Sequence, residues 1–172
     1  IAKGLTSGYV PLSGAIISKK VSEVLKQGSD QLGMFSHGYT YTGHALGAAA
    51  GLANLQVIED KNLVGNVKDV GAYFQAQLRD KLAAHEIVGE VRGVGLMAAI
   101  ELASDKAKRT PFDADLKVNK KLADKVFEHN VIIRPMPNSC AVGIAPPFVI
   151  TRDDVDLIVG SIAESLESVS AE

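Results

Sequence analysis

The sequence predicts an α/β fold in which helices and short strands alternate from about residue 61 onward. Two patterns carry this prediction: long segments with apolar residues at helical spacing, and short β-branched runs bounded by glycine or proline. With 47% hydrophobic residues among 172, the chain also has enough apolar material to bury a core.

The first 41 residues are predicted to be mostly loop. Residues 3–14 are rich in Gly, Ser and Pro, which favour turns. The apolar run Ala15–Ser18 predicts a buried strand, and a short helical face follows at 21–25. Residues 28–41 contain three glycines and several aromatics and again predict a loop.

Residues 43–60 predict a long helix, with Thr42 as its N-cap. Its first half is rich in alanine, so another stretch of backbone can approach it closely. We expect this helix to link two domains, residues 1–60 and residues 61–172.

The second domain is predicted as a regular alternation of elements. A helix at 63–85 is followed by strands at 87–92 and 96–102, a surface excursion at 103–115, a helix at 116–129, strands at 131–134 and 141–144, and a last helix capped by Thr151. That last helix has one apolar stripe, formed by Val155, Ile158, Val159, Ile162 and Leu166.

Composition excludes several classes of function. The 18 basic and 20 acidic residues give a net charge of -2 and form no basic patch for nucleic acid or an anionic membrane. No apolar stretch approaches the roughly 20 residues that cross a bilayer. The single cysteine, Cys140, forms no intrachain disulfide, so a cytoplasmic location is the default. His37 and His44 have no third partner in the pattern, so no metal site is predicted.

Lys3 lies in a string from Ala2 to Gly14, AKGLTSGYVPLSG. A lysine forms a Schiff base only when its amine is held in a desolvated pocket. Ile1, Ala2 and Leu5 offer an apolar setting, but a lysine beside a glycine is more often a solvated loop residue.

The segment from His37 to His44, HGYTYTGH, enters the long helix. A loop of glycines and threonines before a helix can bind an anion through backbone N–H groups, a hydroxyl and the helix dipole. The alternative is ordinary helix capping by Thr42.

Two further segments contain arginine. Arg134 ends the predicted strand 131–134, where it either forms an internal ion pair or clamps a substrate carboxylate. The segment from Arg92 to Leu96, RGVGL, lacks a third glycine and a following helix, so we interpret its glycines as structural.

Taken in this order, and with PPFVIT at 146–151, these segments resemble the class-III (omega) pyridoxal-phosphate-dependent aminotransferases. The resemblance implies the C-terminal part of a fold-type I transferase: the end of the large cofactor-binding domain plus the small C-terminal α/β domain. It implies that Lys3 forms the Schiff base with pyridoxal phosphate and moves the proton. It also implies that Tyr39 and Thr40 bind the cofactor phosphate of a neighbouring subunit, and that Arg134 binds the substrate carboxylate.

One departure indicates a branch of the family. The ornithine, acetylornithine and GABA branches have an arginine three residues before the Pro-Pro pair, and this chain has Gly143 there. The resemblance therefore points to the branch that moves amino groups from an amine or omega-amino acid to pyruvate. The amino donor itself is not indicated.

The same resemblance places other site parts before Lys3, so we expect a homodimer with shared sites in which this chain needs its N-terminal half. Two alternatives stay open. One is another reaction on the same scaffold, such as that of an aminomutase, racemase or decarboxylase. The other is a non-catalytic dimerisation module.

Overall fold

The computed structural model describes residues 1–170 and separates the chain into two units. The first unit is Ile1–Lys61 and the second begins at Asn62. None of the helices among the described residues has both the length and the apolar character needed to cross a bilayer.

The first unit contains a 3-10 turn at Lys3–Thr6 and two helices, α1 (Lys19–Leu32) and α2 (Ala45–Asp60). Helix α1 begins after Ser18, whose hydroxyl accepts the N–H of Val21 at 3.4 Å, and it runs well beyond the predicted 21–25. The predicted loop at 28–41 is therefore wrong in its first residues, because α1 continues to Leu32.

The predicted strand Ala15–Ser18 is also wrong. These residues form no strand, and the side chains of Ile16 and Ile17 are 85% and 49% exposed. The physical reason is that no described segment of this unit pairs with them, and a lone extended segment has no ladder to stabilise it.

Up to residue 170, the second unit is a four-stranded antiparallel sheet with three α-helices and a short 3-10 turn at Ala114–Leu116. Its elements are α3 (Leu63–Leu82), β1 (Val88–Val94), β2 (Met97–Leu102), α4 (Val118–Glu128), β3 (Arg134–Pro135), β4 (Ala141–Ile144) and α5 (Arg152–Ser170). The strand order is β1-β2-β4-β3. This confirms the predicted α/β class, with most element boundaries within two or three residues.

Helices α3, α4 and α5 pack with one face of the sheet into a single apolar core. In β2 the buried residues are Ala98, Ile100 and Leu102, which alternate with more exposed neighbours. Four of the five predicted stripe residues on α5 are fully buried, and the fifth, Ile158, is partly buried against the same core. The opposite face of the sheet carries polar and small residues together with two exposed apolar side chains, Val94 and Met97.

Helix α5 begins with the predicted cap. The Thr151 hydroxyl donates to the Asp154 carboxylate at 2.7 Å, and the Thr151 backbone N–H donates to the same oxygen at 2.9 Å. These two hydrogen bonds lower the pKa of Asp154. In return, the backbone N–H of Asp154 donates to the Thr151 hydroxyl at 3.2 Å, which confirms Thr151 as the cap of this helix.

Candidate active site

Lys3 is the first residue of the 3-10 turn and has a left-handed backbone conformation (φ 53°). The loop around it is closed by paired hydrogen bonds between Ile1 and Gly14, at 2.8 and 2.9 Å. The buried hydroxyl of Thr6 donates to the carbonyl of Val10 inside this loop. The backbone that carries Lys3 is therefore well defined.

Helix α2 fixes this loop from one side. The side-chain amide of Asn54 donates to the carbonyls of Gly4 at 3.0 Å and Leu5 at 3.1 Å. The close approach that the small residues allow occurs at two buried glycines: a Cβ at Gly47 would lie 3.5 Å from the Pro11 carbonyl, and one at Gly51 would lie 3.1 Å from Leu12. The prediction of close approach is thus correct, although glycines rather than alanines make it.

The side chain of Lys3 is exposed, and its amine has no hydrogen bond or ion pair among residues 1–170. We expected Ile1, Ala2 and Leu5 to provide an apolar setting, but Ile1 is itself 67% exposed. That expectation is wrong for the described residues alone. Any desolvation of the amine has to come from groups outside them.

The Tyr39–Thr40 segment forms a tight turn before α2. The Tyr39 N–H donates to the Thr42 hydroxyl at 2.8 Å, and the Thr42 N–H donates to the Tyr39 carbonyl at 2.9 Å. Helix α2 begins later than predicted, with His44 as its N-cap residue and no side-chain cap. The prediction of Thr42 as N-cap is wrong, because its hydroxyl closes this turn instead.

Both predicted phosphate-binding residues are exposed, Tyr39 by 78%. Among the described residues there is no recorded contact between either of them and Lys3. The two histidines of the segment contact aromatic rings: His37 lies 5.6 Å from Phe35, and His44 lies 5.6 Å from Tyr41. No group of three metal-ligating side chains occurs among residues 1–170.

Arg134 begins the edge strand β3, so the prediction of a strand over 131–134 is wrong in its bounds. Residues 131–134 still alternate, with Val131 and Ile133 buried and Ile132 81% exposed. This alternation places Arg134 on the open face of the sheet. Its guanidinium has no ion-pair partner among the described residues.

A row of small residues separates Arg134 from the second arginine of the open face. The strand registers pair Arg134 with Gly143, Gly143 with Ala99, and Ala99 with Arg92. Three strand spacings put about 14 Å between the two arginine backbones.

Arg92 is already engaged. Its guanidinium lies 2.9 Å from the Glu101 carboxylate and 3.1 Å from that of Glu90. The hydrogen bond to Glu101 is the main reason that the pKa of Arg92 is raised, with a smaller effect from Glu90. Arg92 thus joins neighbouring strands, whereas Arg134 forms no ion pair with the residues that the structure describes.

The glycines of RGVGL serve packing, as predicted. A Cβ at Gly93 would lie 2.4 Å from the Met97 carbonyl, and Gly95 turns the chain with φ +56°. The Gln75 side chain donates to the carbonyls of Gly95 at 3.0 Å and Met97 at 3.1 Å. This turn is a docking point for α3.

Sequence reasoning missed the side chains that fix these segments, Asn54 among them. The only signal was an asparagine within a helix, where it is disfavoured. That signal gives no hint of which distant carbonyls the amide binds.

Comparison with known proteins places these residues in a family context. Residues 1–166 match the family described as aminotransferase class-III. The chain is 48% identical over 170 residues to a diaminobutyrate–2-oxoglutarate transaminase of Halomonas elongata, covering 99% of this chain and 36% of that protein. It is 36% identical over 171 residues to a putrescine–pyruvate aminotransferase of Pseudomonas aeruginosa, again covering 99% and 36%.

The structural comparison agrees. The fold superposes on the PMP-bound aminotransferase of Vibrio fluvialis with a TM-score of 0.94 and 32% identity, covering 99% of this chain and 37% of that one. The chain thus spans little more than a third of the length of the relatives that it matches.

Proposed function

Because this chain belongs to the class-III aminotransferases, we propose that it supplies the C-terminal part of an enzyme that moves an amino group between an amine or omega-amino acid and a keto acid. Pyridoxal phosphate is the cofactor of the family, and when bound it supplies the electron sink for the reaction. The observation that carries the proposal is Lys3: a fixed backbone bears an amine that no described residue engages.

The residues of the chain fit this cofactor. Lys3 would hold it covalently through Nζ, since the amine is accessible and no internal partner competes for it. Tyr39 and Thr40 would bind its phosphate from a neighbouring subunit, because both are exposed on a turn whose backbone Thr42 fixes. For each of these three residues, the remaining contacts to the cofactor would come from groups outside residues 1–170.

During turnover, Lys3 would also act as the proton carrier. When it is not bonded to the cofactor, its Nζ would take up the proton that leaves the donor carbon and later release it. Anchoring by Asn54 restricts the backbone at the next two residues, Gly4 and Leu5, and so limits the positions that the Lys3 side chain can reach.

Arg134 would bind the carboxylate of the keto acid. A guanidinium on the open face without an internal carboxylate can form two parallel hydrogen bonds to an incoming one. Gly143 pairs with Arg134 across the ladder and is covered by the Met136 side chain, since a Cβ at Gly143 would lie 3.2 Å from the Met136 sulfur.

We propose pyruvate as the acceptor, on the basis of Gly143 in place of the arginine of other branches. The two relatives named above use different acceptors by their names, 2-oxoglutarate and pyruvate. Kinetic comparison of the two keto acids, with alanine and glutamate as the products scored, tests this choice. Formation of alanine also separates transamination from an aminomutase, racemase or decarboxylase reaction.

The working form would be an assembled enzyme, in which this chain joins the N-terminal half of the aminotransferase and two copies share their active sites. Residues 1–61 would end the large cofactor-binding domain, and the residues from 62 onward would form the small domain. The many exposed apolar side chains of the first unit support this, Leu32 (90%), Met34 (84%) and Tyr41 (79%) among them.

Borohydride reduction of the assembled enzyme with its cofactor tests the role of Lys3. We expect the cofactor to be fixed on the peptide that contains Lys3, and Lys3→Ala to slow both half-reactions at least about 100-fold. Lys19→Ala is the control, since Lys19 is an exposed lysine of the same unit that pairs with Glu23. Labelling of another lysine, or retention of either half-reaction by Lys3→Ala, would refute the assignment.

A further inference from the structure

The strand that carries Arg134 has little support of its own. Strand β3 has two residues, lies at the edge of the sheet and pairs only with β4. Its second residue, Pro135, has no N–H to contribute to the ladder. A carboxylate-binding arginine on such a strand needs another group to fix the hairpin on which it lies.

Asn119 of α4 provides this support. Its side-chain amide donates to the carbonyls of Met136 at 3.0 Å, Ser139 at 3.0 Å and Ala141 at 3.2 Å. These carbonyls lie on both sides of the turn between β3 and β4. The Met136 N–H closes the same hairpin by donating to the Ala141 carbonyl at 2.9 Å.

The amide is itself held in one orientation. Its oxygen accepts the backbone N–H of Lys120 at 2.9 Å, so that the NH₂ group faces the hairpin. The neighbours of Asn119 on α4 are core residues, with Val118 8% and Leu122 0% exposed. Asn119 therefore connects the hairpin to the rigid part of the second unit.

We infer that Asn119 is a positioning residue for Arg134: it fixes the β3–β4 hairpin so that the guanidinium is preorganised for the keto-acid carboxylate. This inference rests on the proposed function of Arg134. Without the Asn119 amide, three hairpin carbonyls lose a donor and β3 gains freedom. Binding of the carboxylate must then bear the cost of ordering the strand.

The predicted signature is a change in KM without a matching change in kcat. In the assembled enzyme, Asn119→Ala should raise the KM for pyruvate by about fivefold to tenfold, the range expected for loss of one to two net hydrogen bonds. The half-reaction with a simple aliphatic amine, which has no carboxylate, should stay within about twofold. Asn119→Ser, which keeps one short donor, should fall between and serves if the alanine variant folds poorly.

Asn66 offers a matched control in the same unit. Its amide donates to the carbonyls of Phe148 at 2.7 Å and Ile150 at 3.0 Å, in a loop that does not carry Arg134. Asn66→Ala should lower the thermal midpoint as Asn119→Ala does but leave the KM for pyruvate unchanged. Equal KM changes in the two variants, or an equal loss of the amine half-reaction in Asn119→Ala, would overturn the inference.

An Arg134→Ala arm separates the two levels of the argument. If Arg134→Ala leaves the KM for pyruvate unchanged, the proposed role of Arg134 fails, and the positioning role with it. If Arg134→Ala raises KM but both Asn119 variants match the wild type, only the inference about Asn119 fails.

Discussion

Replacing Gly71 with alanine tests whether the β1–β2 turn docks on α3 through backbone contact. Gly71 is a buried helical residue, and a Cβ there would lie 2.8 Å from both the Cα and the carbonyl carbon of Gly95. Ordinary van der Waals contact begins at 3.4 Å, and the atoms met are backbone, which cannot rotate away. The helix and the turn must therefore move apart.

Two opposing contributions set the magnitude. Alanine stabilises a helix interior by about 1 kcal/mol relative to glycine. Overpacking of a well-packed contact costs about 1–3 kcal/mol. Because Gln75 ties the turn to α3 by two hydrogen bonds, separation also strains those bonds, and we expect the upper part of that range. The net effect is a destabilisation of up to about 2 kcal/mol.

Gly160→Ala is the matched control, because Gly160 lies in α5 of the same unit and a Cβ there would meet nothing within 4 Å. This variant should gain about 0.5–1 kcal/mol. Subtracting one variant from the other removes the shared helix effect and leaves the contact term. Urea unfolding followed by far-UV circular dichroism gives both free energies of unfolding. If Gly71→Ala is as stable as Gly160→Ala, the close backbone contact does not exist.

Two further predictions concern charged groups. Arg134→Ala should raise the KM for the keto acid by about 10- to 100-fold, the range expected for loss of a charge-assisted hydrogen bond. The half-reaction of a simple amine should change little. Equal losses for both substrates would refute the proposed role of Arg134 in carboxylate binding. Asp154→Asn should lower the thermal midpoint at pH 7. Folding lowers the pKa of Asp154, so the ionised carboxylate stabilises the fold fully above the pKa of the unfolded state. This stabilisation is lost as the pH falls through the pKa of the folded state, so the difference between variant and wild type should shrink below about pH 4. Asp153→Asn, in the same helical turn, is the control, and an equal pH dependence in both variants would contradict the role of the Thr151 hydrogen bonds.

Sequence patterns predicted the second unit well because the apolar faces of its helices and strands pack against one another. Strand β2 alternates between the core and the open face, and α5 presents a continuous apolar stripe to the same core. Each pattern therefore reports a contact that lies within residues 62–170. The local hydrogen bonds of the Thr151 cap were predictable for the same reason, since donor and acceptor are three residues apart.

Prediction was poorest where an apolar run has no packing partner among residues 1–170. The run Ala15–Ser18 reads as a buried strand, yet Ile16 is 85% exposed. No segment among residues 1–170 pairs with this run as a strand. Thr42 failed for another reason, because a threonine before a helix can close a turn as well as cap the helix, and the residue pattern is the same for both.

The candidate site residues differ from the structural charged residues in whether the side chain has a partner. Lys3, Tyr39 and Arg134 have exposed side chains on backbone that is hydrogen-bonded on several sides, whereas purely structural charges such as Arg92 are matched by neighbouring carboxylates. A reactive side chain that has no internal partner does not stabilise the fold, even when its backbone is held in place. It does reduce the entropy that binding must overcome, because the group is already oriented when a cofactor or a carboxylate arrives. Asn54 and Asn119 provide that order through the same chemistry, a helical amide that donates to the carbonyls of a distant loop, and on this argument their loss should weaken ligand binding more than it weakens the fold.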